Sequence, residues 1–313
     1  MNDFRTVAVL GCGTMGSGIA QVFAASGRDV IVLETSQSRI DAGLAAITRF
    51  LDGGIARGKV TEDAKAAILG RITGTTDVAG GGGAGGLAGA DLVVEAVSED
   101  ASVKSAVLSA VAAAVGEEVP ILTNTSALSV TEIAAGLPNP SRVAGLHFFN
   151  PAPLMPTVEV VRALQTGESL IGDLVALVET LEGKVPVVVK DRPGFLINAL
   201  LMPYLNDVIQ EYDDGLATAE DIDLALKLGL GYKSGPLELL DMIGLDIHLH
   251  ATESAYTATR DGRYAPPPLL RQMVAAGWLG AKSGRGFRTG GEPLSSAGAL
   301  SSGGAVSSGE EPS

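Results

Sequence analysis

The feature that most constrains this chain is a glycine-spaced turn, Gly11-Cys12-Gly13-Thr14-Met15-Gly16, set between an apolar run and a helical one. Val7–Leu10 precedes it and reads as a buried strand. Thr14 to Ser26 follows with helical spacing and stops at Gly27. A second apolar run, Val30–Leu33, ends in the acid Glu34. In a chain with 41 glycines the string G-x-G-x-x-G says little by itself. Between a strand and a helix, with an acid about 20 residues on, it specifies a dinucleotide site. Gly11 permits the tight turn, Gly13 lets a pyrophosphate approach the backbone, and Gly16 lets the helix pack against the strand. The first-turn N–H groups, those of Thr14 and Met15 among them, meet the phosphates. Glu34 would accept hydrogen bonds from the ribose hydroxyls and repel a 2′-phosphate, so NAD is expected rather than NADP. Cys12 occupies a position open to any small residue and reads as packing.

The alternation continues along the chain. A helical segment from Ile40 to Leu69 reads as broken around Asp52-Gly53-Gly54, and the glycines Gly80–Gly86 read as a loop tip. Then come a third strand (Leu92–Val97), a helix (Ser102–Val115), a strand (Ile121–Thr123), a helix (Thr131–Gly136) and strands Val143–Phe148 and Val158–Val161. The helix Ser169–Leu181 and the strand Val185–Val189 close the series. Apolar strands alternating with helices predict a mostly parallel α/β sheet covered on both faces, a Rossmann-type doubly wound sheet. After Lys190 only helical patterns remain, so an all-helical C-terminal domain follows, with Thr218 placed to cap its second helix. The expected division is residues 1–189 for the NAD-binding domain, 190–290 for the helical domain, and 291–313 for a disordered Ser/Gly-rich tail.

The 313 residues exceed one typical domain, and 46% hydrophobic content supplies its cores. No apolar run reaches the ~18–20 residues of a membrane span, and no secretory leader is evident. One cysteine excludes an internal disulfide and a cysteine-built zinc site. No metal is expected, and the chain reads as soluble and cytoplasmic. A formal charge of −14 repels a nucleic-acid backbone, which removes nucleic acid from the expected partners.

Of three histidines, His248 and His250 sit two apart in a helical stretch, do not share a face as metal ligands would, and read as helix surface or rim. His147 ends an apolar strand just before Asn150-Pro151, where a doubly wound sheet presents its ligand crevice. Glu159, in the next strand, is placed to orient its ring and stabilise the imidazolium.

These residues carry a family resemblance. The fingerprint Gly11–Gly18, Asn124-Thr125-Ser126, His147-Phe148-Phe149-Asn150-Pro151, Val158-Glu159-Val160-Val161 and Asp191-Arg192-Pro193-Gly194-Phe195 resemble the 3-hydroxyacyl-CoA dehydrogenases. So do Gly235-Pro236-Leu237-Glu238, Gly244-Leu245-Asp246 and the run from Gly277 to Phe287. The resemblance implies an NAD-dependent oxidoreductase interconverting short 3-hydroxyacyl and 3-ketoacyl thioesters. It implies His147 as general base with Glu159 as its carboxylate, and Ser126 and Asn198 as binders of the reacting oxygen and hence of substrate. For the cofactor it implies Ala96, Glu99, Lys104 and Asn150, and Lys282 in the helical domain. A homodimer paired through the helical domain is also implied, where Leu200, Leu201, Leu205, Ile209, Leu237, Leu240 and Ile243 offer broad apolar faces; these faces serve equally as that domain's own core.

Two departures stand out. Ala199 stands where the family usually has arginine, which loosens a helix contact. The segment after the second strand, lysine-rich in CoA users, offers only Arg49, Arg57 and Lys59, with Arg49 the candidate substrate contact. The partner is therefore an acyl-CoA or, as the alternative, an acyl-carrier-protein thioester. A non-catalytic NAD-binding sensor is the alternative from a different class.

Overall fold

Strand β1 (Thr6–Leu10) shows how the first unit is layered, because its four residues Val7–Leu10 are without solvent exposure and point alternately to two cores. Val7 and Val9 join one apolar cluster, Ala8 and Leu10 the other. The structure is a computed structural model and describes residues 4–78 and 86–288. The chain divides into two compact units, Met1–Leu196 and Ile197–Ser313.

In the first unit β1 is followed by α1 (Thr14–Ala25), β2 (Asp29–Leu33), α2 (Gln37–Ala56), α3 (Glu62–Gly70), β3 (Ile72–Thr75) and β4 (Leu92–Glu95). Then come α4 (Ala101–Ala114), β5 (Ile121–Thr123), α5 (Val130–Ala135), β6 (Val143–Phe148), β7 (Thr157–Arg162), α6 (Glu168–Glu179) and β8 (Val185–Lys190). The eight strands form one sheet in the order β3-β2-β1-β4-β5-β6-β7-β8. The first six run parallel, β7 is antiparallel to β6, and β8 is parallel to β7. The doubly wound sheet expected from the alternation is present, with the chain reversing direction between β6 and β7.

Two local expectations change. The helix α2 runs through Asp52-Gly53-Gly54 and ends only at Ala56. Its buried stripe (Ile40, Ile47, Leu51) outweighs the roughly 1 kcal/mol each helical glycine costs. At Gly54 a Cβ would lie 2.7 Å from Val60 Cγ2, so close packing explains that glycine. The second change is β3, which the apolar-run criterion passes over because Ile-Thr-Gly-Thr holds one large apolar residue. The glycine run through residue 85 and the expected tail from residue 291 lie outside the described residues.

The second unit contains α7 (Ile197–Asp213), α8 (Ala219–Leu230), α9 (Pro236–Ile243), α10 (Leu245–Thr259) and α11 (Pro268–Ala275). Thr218 Oγ1 accepts the Asp221 N–H at 3.1 Å and caps α8 as expected. Leu205, Ile209, Leu237, Leu240, Leu270 and Phe287 pack into one core. Two buried acids organise it. Asp223 accepts the first-turn N–H groups of Leu237 (2.8 Å) and Glu238 (3.0 Å), and Asp241 accepts those of Phe287 (2.9 Å) and Arg288 (2.7 Å). His248, expected on the helix rim, is buried instead. Its Nε2 lies 3.0 Å from Asn206 Oδ1, whereas His250 is exposed. The apolar face of α7 meets its neighbours on that side, and this brings His248 inward. No helix among the described residues is long and apolar enough to cross a membrane.

Candidate active site

The fingerprint turn sits at the carboxyl end of β1. Gly11 adopts φ +91°, and a Cβ there would lie 2.8 Å from Ala96 O, which places Ala96 directly beneath the turn. A Cβ on Gly16 would lie 2.0 Å from the Gly11 carbonyl oxygen, so only glycine lets α1 start this close to β1. Among the described residues, nothing beyond the chain neighbours of Gly13 comes within 4 Å of that position. No side chain caps α1 and no acid stands in its first turn, so the N–H groups of Thr14 and Met15 are left for an anionic ligand. A mostly apolar cavity of about 330 Å³ adjoins the turn, lined by Gly11, Leu33, Glu34, Thr35, Val97 and Val107 among others. Glu34 in its lining is the acid that a ribose of the dinucleotide would meet.

The Glu34 carboxylate is already oriented, accepting the N–H groups of Cys12 (3.0 Å) and Thr35 (2.8 Å). Burial pushes its pKa up, but these backbone donors and the charge of Arg39 hold it below the ordinary carboxylate value. Cys12 Sγ packs where a Cβ on Gly43 would fall, and burial together with Glu34 pushes the thiol up to about 11, so it is an inert packing residue.

His147 and Glu159 are direct cross-strand partners in the antiparallel β6–β7 pair, and this register is what brings the two side chains to one face. His147 Nδ1 lies 2.7 Å from Glu159 Oε2; Glu159 is fully buried and His147 nearly so. A carboxylate can only accept, so Nδ1 carries the proton and Nε2 is left as an acceptor. The second oxygen, Oε1, accepts the Leu196 N–H at 3.1 Å. The imidazole is flanked by Phe149 and Phe195, with ring centroids 4.6 and 5.5 Å away.

Ser126 is exposed on the loop after β5. Its N–H and that of Ala127 donate to Glu99 Oε1 at 2.9 and 3.1 Å, and the Thr125 hydroxyl donates to the same oxygen. Glu99 Oε2 lies 3.1 Å from the ammonium of Lys104, which is itself buried and 2.6 Å from Glu95 Oε1. Burial pushes the Glu99 pKa up, but Lys104, Thr125 and the Ser126 N–H together hold it below the ordinary value. Glu99 Oε1 is thus held to the loop that carries Ser126, while Oε2 pairs with Lys104. Glu95, absent from the sequence-derived candidates, is the anchor of this cluster and also accepts the Thr123 hydroxyl (2.6 Å) and the Val97 N–H (2.7 Å). The signal for it was a lone acid closing the run Leu-Val-Val, nine residues ahead of a lysine on the next helix.

The remaining candidates fall as follows. Asn150 is exposed just beyond β6, and Arg49, Arg57 and Lys59 are exposed on and after α2. In the second unit, Asn198 is half-buried in the first turn of α7, and Lys282 pairs with Asp246 at 2.5 Å. Among the described residues no group of three or more His, Cys, Asp or Glu side chains is placed to hold a metal ion.

Residues 6–192 match the 3-hydroxyacyl-CoA dehydrogenase NAD-binding domain, and residues 194–290 match the C-terminal domain of that family. The chain is 43% identical over 291 residues to a 3-hydroxybutyryl-CoA dehydrogenase of Mycobacterium tuberculosis, covering 92% of this chain and 100% of the relative. It is 40% identical to a 3-hydroxybutyryl-CoA dehydrogenase of Clostridioides difficile, covering 90% of this chain and 98% of the other. Among solved structures, the (S)-3-hydroxybutyryl-CoA dehydrogenase of Ralstonia eutropha matches with a TM-score of 0.87 and 41% identity, covering 93% of this chain and all of that one.

Proposed function

The chain belongs to the 3-hydroxyacyl-CoA dehydrogenase family, and from that premise we propose that His147 is the general base of its reaction, with Glu159 as the carboxylate that orients it. The protein is an NAD-dependent oxidoreductase that interconverts short-chain 3-hydroxyacyl-CoA and 3-ketoacyl-CoA. NAD, when bound, supplies the hydride acceptor or donor for C3 of the acyl chain. His147 Nε2 takes the proton of the 3-hydroxyl as that carbon is oxidised and returns it in the opposite direction. Glu159 holds the neutral tautomer in place and offsets the positive charge that forms on the ring. The Ser126 hydroxyl holds the reacting oxygen and stabilises its developing charge. Asn198 is assigned the same task on sequence resemblance alone. The observation that carries this reading is the 2.7 Å contact between His147 Nδ1 and a fully buried carboxylate, which leaves the other ring nitrogen to do chemistry.

Oxidation of NADH by acetoacetyl-CoA tests it. H147A should lose about 10²–10⁴-fold in kcat while binding NADH normally. Wild-type turnover in H147A would refute the assignment, and NADH binding without turnover of any thioester in the parent protein would return the sensor reading. The acyl-carrier-protein alternative has no support in the relatives' names; a higher rate with the carrier-protein thioester than with the CoA thioester would restore it.

The pairing of two copies is supported by apolar side chains that the second unit does not use in its own core. Leu200 and Leu228 are 68% and 78% exposed, with Leu216, Leu230 and Met242 exposed as well. Sedimentation should give twice the 31.7 kDa chain mass. A reducing, cytoplasmic setting is supported by the lone, buried free thiol of Cys12.

A further inference from the structure

We propose that Phe195 is a positioning residue for the base: its ring and its left-handed backbone together fix the geometry of the His147–Glu159 pair. This rests on the assignment of His147 made above. Phe195 belongs to the turn Asp191-Arg192-Pro193-Gly194-Phe195-Leu196 that follows β8 and supplies no group that does chemistry itself. Gly194 and Phe195 both have positive φ, +75° and +49°. For glycine that conformation is free, whereas for a bulky aromatic residue it is strained and persists only where the surroundings enforce it. The turn alone would be better served by a second glycine, so the aromatic side chain answers to something else.

Two contacts answer. The buried ring lies 5.5 Å from the His147 ring at an interplanar angle of 63°, an edge-to-face pair. The left-handed backbone also turns the chain so that the next N–H, that of Leu196, reaches Glu159 Oε1 at 3.1 Å. One residue therefore bears on both members of the pair, the imidazole through its side chain and the carboxylate through its main chain. With Oε1 held by Leu196, Oε2 is the oxygen that faces Nδ1, and rotation of either group breaks one of these contacts. The same turn also reaches the Ser126 loop, because Asp191 accepts the Thr131 N–H (2.7 Å) and the Ser129 hydroxyl (3.0 Å) at the start of α5. The turn thus ties together the two segments that carry the proposed base and the proposed oxygen-binding serine.

The test uses the full-length chain with Phe195→Leu and Phe195→Gly, each alone and combined with His147→Ala. Leucine keeps most of the buried volume without the ring; glycine removes the side chain and relieves the backbone strain. With acetoacetyl-CoA and NADH, both single variants should lose about tenfold in kcat, with KM for the thioester and Kd for NADH within twofold of the parent. In the H147A background neither should lower the residual rate further, because the contact acts through the imidazole. Thermal unfolding identifies a variant that fails to fold; if glycine does so, leucine decides. An unchanged kcat in F195L, or the same fold-loss with and without His147, overturns the proposal while leaving His147 as the base. Wild-type turnover in H147A is the separate result that overturns the assignment on which it rests.

Discussion

At the level of single residues, the site depends on which oxygen of which acid meets which donor. Glu159 has one oxygen on an imidazole and one on a backbone N–H, with no solvent to replace either. Exchanging it for glutamine keeps the shape and removes the charge that balances the imidazolium. E159Q should lose about 10- to 10²-fold in kcat, the range a charged hydrogen bond commands, with NADH binding unchanged. Single-turnover rates alongside a fluorescence titration of NADH would check both halves of that statement. Glu34 makes a different case, because Cys12 and Thr35 hold its carboxylate before any ribose arrives. E34A removes both the acceptor and the repulsion, so the preference of kcat/KM for NADH over NADPH should narrow by about tenfold or more. His147, Glu159 and Glu34 were legible in the sequence because each is a polar residue closing or interrupting an apolar run, a position that has to be explained. The Leu196 N–H was not legible, since a main-chain donor has no identity in the sequence. Glu95 is not singled out within the apolar run Leu92–Val97, because its pairing with Lys104 is fixed only once α4 is laid against β4.

At the level of elements, strands with continuous apolar runs and helices with clean stripes were readable to within a few residues, as β6 and α6 illustrate. What escaped was an element whose pairing partner stabilises it. The strand β3 is held by its register against β2 rather than by its own composition. The helix α10 teaches the same lesson about a side chain. His248 and His250 look alike in sequence, yet packing against α7 buries one and leaves the other in solvent. Asn206 Nδ2 donates to Thr252 Oγ1 at 2.8 Å, so its Oδ1 faces His248 and accepts the Nε2–H. Burial lowers the His248 pKa from 6.5 to about 4. A folded-state pKa below the unfolded one means that the unfolded chain binds the extra proton first. The stabilisation is therefore fully present above about pH 6.5 and is lost as pH falls through about 4. H248Q retains a donor for Asn206 and cannot titrate. Its thermal midpoint should fall less than that of the parent between pH 7.5 and pH 5, as differential scanning calorimetry at the two pH values would show.

Across the whole molecule, the net charge of −14 opposes the substrates it has to admit, since both a CoA thioester and NAD carry phosphates. The field of the chain and the local field of its basic residues predict opposite responses to salt. Arg49, Arg57 and Lys59 are exposed, few and near one another in sequence, so their attraction acts over a short range. The surplus of acids is spread along the chain and acts at distances where screening is strongest, with a Debye length of about 30 Å at 0.01 M falling to about 10 Å at 0.1 M. Added salt should therefore relieve repulsion before it weakens attraction. The kcat/KM for acetoacetyl-CoA should rise severalfold as KCl goes from about 10 to about 200 mM, through KM rather than kcat. A steady fall over the same range would mean that the three basic residues dominate the encounter. R49E should then remove most of that salt dependence, whereas under the global field it would steepen the rise.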